Sequence, residues 1–226
     1  MGAVINGIAI LIGGGLGLLF MGRISQKISD SVIRAMGLCV GVIGVAGAVQ
    51  GDMMLLVVSL ALGTLVGEGI DIDRRLNSLG DWLQAKLNPG GGASRFSEGF
   101  VTATLLFCVG AMAIVGSIES GLRGDHSIIV TKSVIDAVTA MVFASTMGIG
   151  VLFSAVPVFI YQGSIELFAG FMQHVLTGPM VTQISAAGSV MIIGLGANMV
   201  VGAQVRVANM LPGLLVAAAY FYLFLY

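Results

Sequence analysis

The stretch "SIIVTKSVIDAVTAMVFASTMGIGVLFSAVPVFIYQGSI", residues 127–165, has Lys132 and Asp136 as its only charged residues. A helix needs about 20 apolar residues to cross the hydrocarbon core of a bilayer. This run is too long for one crossing and about right for two short ones. "STMGIG" (145–150) is the natural break, and Pro157, which a helix interior tolerates poorly, falls inside the second piece. Two apolar helices back to back, with an ion pair in the first, point to a membrane protein.

The flanking sequence repeats the pattern. Further apolar runs cover 3–22, 33–51, 53–70, 99–118, 181–201 and 207–226, which gives eight segments, with seven as the main alternative. Composition agrees: 57% of the 226 residues are hydrophobic and 9% charged, and mean hydropathy is +1.04. Soluble domains carry about 25% charged residues, so the solvent for this surface is lipid. The chain is therefore expected to be all-α: a polytopic transmembrane bundle forming a single integral membrane domain over 1–226. The first apolar run, "MGAVINGIAILIGGGLGLLFMGR", lacks a basic leader and is too long for a signal h-region, so it is expected to stay as a span.

Charge orients the bundle. Cytoplasmic loops are enriched in Lys and Arg. Arg23, Lys27 and Arg34 follow the first span, and Arg74, Arg75, Lys86 and Arg95 follow the third. With eight spans Arg206 falls on that same side, leaving only Arg123 in a far-side loop, whereas seven spans would send Arg206 across. Eight spans, with basic loops cytoplasmic and both termini outside, is the expected topology. Between spans three and four, "DIDRRLNSLGDWLQAKLNPGGGAS" places Ile72, Leu76, Leu79, Leu83 and Leu87 at three- and four-residue steps. That pattern predicts an amphipathic helix on the membrane surface, with Trp82 and the basic residues at the interface. Pro89 to Gly92 would end it as a linker.

The chain also resembles itself. "GIAILIGGGLGLLFMGRI" (7–24) lies without a gap over "GIGVLFSAVPVFIYQGSI" (148–165), pairing Gly7 with Gly148, Leu11 with Leu152 and Gly22 with Gly163. Farther on, Ala35 and Gly37 match Ala186 and Gly188, and Gly51 matches Gly202. Span one then corresponds to span six, an odd displacement that inverts the second unit. The expected organisation is a first repeat at 1–70, the surface helix and linker at 71–95, central spans at 99–145 and a second repeat at 146–226. Inverted repeats with discontinuous helices are how many secondary transporters are built, with binding sites near the midplane.

Several function classes lose support. A balance of 10 basic and 11 acidic residues gives no basic face for nucleic acid. There is no Walker A, HExxH, CxxC or GxSxG motif, so ATP-driven pumping and common hydrolase or redox chemistry are not expected, and no enzyme activity is assigned. Cys39 and Cys108 fall in apolar runs and read as small buried thiols without metal or cofactor. Of the 34 glycines, most suit close helix packing in lipid. Gly13 to Gly15 could instead loosen a helix near a ligand.

Lys132 and Asp136 are the leading site candidates, since burying an ionisable group in lipid is costly and four-residue spacing sets both on one helix face. Lys before Asp is the weaker orientation for a helical pair, so pairing alone is a poor explanation. The plainer reading is a salt bridge that locks the span to a neighbour, with Asp125 or Glu119 assisting. Asp125 is a natural N-cap for the span. His126 and His174 read as interfacial side chains, and Glu68 as a cap for span three. Asn6, Thr102, Thr104, Gln162 and Asn198 are polar residues within spans that together could line a cavity.

The run from Phe100 to Gly163, with "FVTATLLFCVGAMAIVGSI", "GDHS", "TKSVIDA" and "GIGVLFSAVPVFIYQG", resembles the bacterial DUF 554 family of YdfK/YqgA-like integral membrane proteins, and "GEGIDIDRRLNSLGDWL" fits an earlier stretch. The resemblance implies a polytopic bacterial inner-membrane protein loosely associated with transport, and supplies no substrate or site. The expected function is secondary transport or channel-like passage of a small polar or charged solute, proton- or ion-coupled. Lys132 would attract an anion or carboxylate, and Asp136 would carry a proton or cation. Asp125, Asn6, Gln162 and Asn198 complete the candidate set. The alternative is a non-transporting scaffold with the Lys–Asp pair as a staple. Expected partners are the bilayer, the solute and a second copy of the chain.

Overall fold

The computed structural model describes residues 1–21, 25–87 and 95–224. Within them all regular structure is helical. In chain order the helices are α1 (Gly2–Leu18), α2 (Gln26–Ala48), α3 (Met53–Ile70), α4 (Ile72–Leu87), α5 (Phe96–Cys108), α6 (Ala111–Arg123), α7 (Ser127–Met147), α8 (Gly150–Phe153), α9 (Ala155–Leu167), α10 (Ala169–Val175), α11 (Gly178–Val201) and, after a 3-10 turn at Val207–Met210, α12 (Pro212–Phe224). Gly22, Arg23, the linker Pro89 to Gly92, and the last two residues of the expected final span lie outside the described residues.

Among the described residues five helices are long and apolar enough to cross a membrane: Lys27–Ala48, Met53–Ile70, Ser127–Met147, Gly150–Leu167 and Gly178–Val201. Two more apolar helices, Gly2–Leu18 and Val207–Leu223, are shorter. The run expected as one straight span at 99–118 is instead two helices, α5 and α6, bent by 62° at their junction. Gly110, at φ +133°, supplies a backbone turn that a Cβ would strain. Counting this pair as one crossing gives six.

The break expected at 145–150 is present. α7 stops at Met147, and Gly148 takes φ +85° before α8 begins. Pro157 sits in the first turn of α9, where its missing N–H breaks no helical bond. The loosening expected at Gly13 to Gly15 is absent, since α1 runs unbroken through all three. Gly13 and Gly14 serve packing instead.

The chain groups into two compact units. The first comprises Met1–Val32, Leu76–Cys108 and Met112–His174. Here α1 lies against α7 at backbone distance: a Cβ on Gly13 would stand 2.0 Å from the Ala137 carbonyl oxygen, and one on Gly17 2.1 Å from that of Met141. This small-xxx-small spacing lets dispersion replace the hydrophobic drive that lipid does not provide. α5 meets α8 the same way, at Gly150 over the Phe96 carbonyl. The α4 surface carries Trp82 outward with the Lys86 ammonium 4.4 Å from its ring centroid, as the amphipathic pattern predicts.

The second unit comprises Ile33–Arg75, Val109–Ala111 and Val175–Tyr226. α3 crosses α12 at Gly63 over Gly213, and Gly67 faces the Asn209 carbonyl. α2 crosses α11 through Gly37 and Gly44, the latter against Ser189 and Ile193. Glu68 was expected to cap α3; it pairs instead with Arg206, Nη1 to Oε2 at 3.0 Å, because the helix end is closed by Asp71 in the left-handed conformation.

Candidate functional site

α7 shows how the site is built. Along it Ile129, Lys132, Ser133, Asp136, Ala140 and Ala144 are buried, while Val130, Val134, Ile135 and Val138 are exposed. The helix turns its charges and small residues inward and its branched apolar residues outward. That polarity is the reverse of a soluble helix, and it is what lipid on the outside requires.

The buried face carries an ion pair between Lys132 Nζ and Asp136 Oδ2. Each residue is 5% exposed. On α1, Asn6 Nδ2 donates one hydrogen to Asp136 Oδ2 at 2.9 Å and the other to Gln162 Oε1 at 3.0 Å on α9. The two amide orientations follow from the carboxylate. An ionised Asp136 only accepts, so it turns the NH2 of Asn6 toward itself, and that NH2 in turn fixes the carbonyl of Gln162. The opposite atoms, Asn6 Oδ1 and Gln162 Nε2, are then left fully buried without a partner among the described residues. Such orphans are uncommon and call for an explanation, whether strain or a bound group.

α5 closes the cluster with its last turn. The Phe107 ring centroid lies 5.9 Å from Lys132 Nζ, and the Cys108 thiol is within the electrostatic reach of both Lys132 and Asp136. Thr104, also on α5, has its hydroxyl buried without a partner among the described residues. Cys108 is half-buried, whereas Cys39, expected to be buried, is exposed. On a lipid-facing helix an apolar thiol can point outward without penalty.

Lys132, Asp136, Asn6 and Gln162 therefore come together from three helices, and the other two site candidates do not join them. Asp125 is exposed and serves α7: its Oδ1 accepts from the Ser127 N–H at 2.9 Å and the Ser127 hydroxyl at 2.6 Å. Those bonds hold its carboxyl below the usual carboxylate range. Helical geometry begins after His126, so Asp125 stands one place ahead of the N-cap position. Asn198 belongs to the second unit, where both ends of its amide clamp the backbone of Val205, each at 2.8 Å. Glu119 pairs with Arg123 rather than assisting Lys132.

A second polar group escapes sequence reading. Glu166, one turn beyond Gln162 on α9, accepts from the Gly2 N–H at 3.0 Å and the Ala3 N–H at 3.1 Å, and from the Ser120 hydroxyl at 2.5 Å. A carboxylate thus closes the electropositive start of α1. Ser120 gives its only hydrogen to Glu166, so the His126 Nδ1, 2.8 Å from the Ser120 oxygen, is the protonated nitrogen. The signal was the i, i+4 spacing of Gln162 and Glu166 opposite Asn6 and Gly2, which matches two turns of α9 to two turns of α1.

Apolar side chains on the outer faces, with an ion pair and two amides inside, define a helical integral membrane protein with several apolar spans. The chain belongs to the family described as "Protein of unknown function (DUF554)", which matches residues 1–222. It is 31% identical over 220 residues to the uncharacterized membrane protein YdfK of Bacillus subtilis (strain 168), covering 95% of this chain and 93% of that protein. It is 30% identical over 223 residues to the uncharacterized protein YqgA of Escherichia coli (strain K12), covering 96% and 94%. No solved structure matches the chain.

Proposed function

We propose that the protein passes a small polar or charged solute across the membrane, as a secondary transporter or a channel-like protein. Lys132, Asp136, Asn6 and Gln162 form its site, and no chemical transformation is involved. The observation that carries this reading is the pair of orphaned amide atoms, Asn6 Oδ1 and Gln162 Nε2, beside a buried ion pair. A purely structural staple gains nothing from leaving two buried polar atoms unmet.

We infer an inverted three-helix repeat as part of the same reading. α1 has 17 residues against 18 for Gly150–Leu167, and α2 has 23 against 24 for α11. The third pair is α3 with the last helix. Within the units each helix packs on its counterpart: α1 on α9 at Gly7 and Phe159, α2 on α11 at Gly44 and Ser189, α3 on α12 at Gly63 and Gly213. The Glu68–Arg206 pair and the bond from the Asp73 N–H to Asn209 set Arg206 at the same end of the second unit as Arg74 and Arg75. That supports an even number of spans, with these basic residues on the cytoplasmic side of a bacterial inner membrane.

The second reading, a membrane scaffold, draws on the bond from Asn6 to Asp136, by which the pair ties α7 to α1. Liposomes reconstituted with the wild type and with the exchanged variant Lys132→Asp/Asp136→Lys separate the two. Solute entry above protein-free liposomes, lost in a folded exchange variant, is the expected result. A panel of salts and neutral solutes that never enters would remove the proposal.

A further inference from the structure

We propose that the solute taken by this cluster is a small anion and that it binds together with one proton on Asp136. The inference rests on the cluster being a solute site and specifies what that site takes.

Charge is the first reason. Lys132 and Asp136 are both nearly enclosed and cancel each other. An anion entering alone would leave a net negative charge in a place that tolerates none. If a proton from water adds to the Asp136 carboxylate, the Lys132 ammonium loses its counter-charge, and the entering anion supplies a new one. The site is neutral before and after, with one proton and one anion taken up together. The Phe107 ring beside Nζ can hold the ammonium in place meanwhile.

The lining argues against the opposite assignment. A cation at Asp136 would need several oxygen ligands. Oδ2 is flanked instead by the Lys132 ammonium and the Asn6 NH2, both donors. No group of three His, Cys, Asp or Glu side chains among the described residues could hold a metal ion. The unmet Asn6 Oδ1 is one acceptor at the site; against it stands Gln162 Nε2, a fully buried NH2 with both hydrogens unmet among the described residues. It is joined to Asp136 through Asn6. Unmet N–H groups are harder to leave buried than a carbonyl with a spare lone pair.

Asp136 is the proton acceptor by elimination among its neighbours. Lys132 faces it from its own helix, Cys108 from α5, and Tyr161 from α9 at one remove through Cys108. α1 offers only Asn6, which does not titrate. Of these groups, Asp136 alone becomes neutral by gaining a proton while leaving Lys132 charged for the anion.

The test is thermal unfolding of the purified protein in detergent at pH 5 to 8, titrated with sodium nitrate, sodium formate or sodium acetate at constant ionic strength. Potassium gluconate and glycerol serve as comparisons. The half-saturating concentration of the stabilising anion should rise about tenfold per pH unit wherever Asp136 is ionised in the free protein. Asp136→Asn, which mimics the protonated carboxyl, should keep the anion response and lose its pH dependence; Lys132→Gln should lose the response. An anion response without a pH slope in the wild type overturns the coupled proton. Stabilisation by potassium or glycerol alone overturns the anion while leaving a solute site. If Asp136→Asn does not fold, the wild-type slope decides. No response to any solute from a folded wild type overturns both this inference and the reading beneath it.

Discussion

Gly13, Gly14 and Gly15 are adjacent in the chain and should answer an alanine substitution in three different ways. A Cβ on Gly13 would lie 2.0 Å from the Ala137 carbonyl oxygen and 2.7 Å from its carbon, both backbone atoms of α7. Ordinary contact begins near 3.4 Å, so α1 and α7 must part by roughly an ångström or more, an overpacking that costs about 1–3 kcal/mol. The Asn6–Asp136 bond, 2.9 Å long and two turns away on the same helix pair, would stretch or break. On Gly14 the Cβ meets the Leu152 side-chain tip at 2.6 Å, which can swing aside, so the loss should be smaller. On Gly15 it meets no atom of the described residues within 4 Å. There, alanine should be neutral or stabilise by up to about 1 kcal/mol through helix propensity. Equilibrium unfolding of the three variants in mixed micelles measures the order directly. Equal effects, or Gly15→Ala as the worst, would refute backbone contact as the reason for these glycines.

Two further outcomes follow from the polar groups around α1 and α7. Glu166→Gln keeps an acceptor but removes the charge at the start of α1, which should cost about 1 kcal/mol and speed amide exchange at Gly2 and Ala3; unchanged exchange would count against the cap. Asp125 has its carboxyl held below the ordinary value by the Ser127 bonds, so its contribution is present above that ordinary value and is lost as pH falls through the lowered one. The stability gap between wild type and Asp125→Ala should therefore be constant near neutrality and close in acid, and a gap that widens in acid contradicts it.

Much of the fold was legible because a membrane imposes length. Apolar runs near 20 residues locate the helices, and the turn after Met147 was announced by two glycines in "MGIG". The bend at α5–α6 was not legible: "FCVGA" carries a single glycine inside an apolar run, and only its positive φ reveals the turn. Lys132 and Asp136 stood out because charge is rare in lipid, and Asn6 and Gln162 because amides are. Their meeting was out of reach, since the bonds join residues 130 and 156 positions apart. Asn198 carried the same signal yet serves Val205, because an amide in a span does not announce its partner. Glycine is ambiguous in the same way. The residue type that lets Gly13 touch α7 is also the type that unwinds a helix, and only a neighbour's backbone tells the two apart.

The central claim is that the buried pair serves a solute rather than the fold, and exchanging its members tests that most directly. Lys132→Asp/Asp136→Lys keeps the charges and reverses their order into the better helical orientation. It also moves the carboxylate one turn away from Asn6. The measurement is osmotic entry of nitrate, formate, acetate, potassium and glycerol into liposomes carrying each protein, with unfolding of both recorded alongside. A site predicts that some solute enters through the wild type and that entry is lost in an exchange variant that still folds. Undiminished entry through the exchange variant would contradict the account.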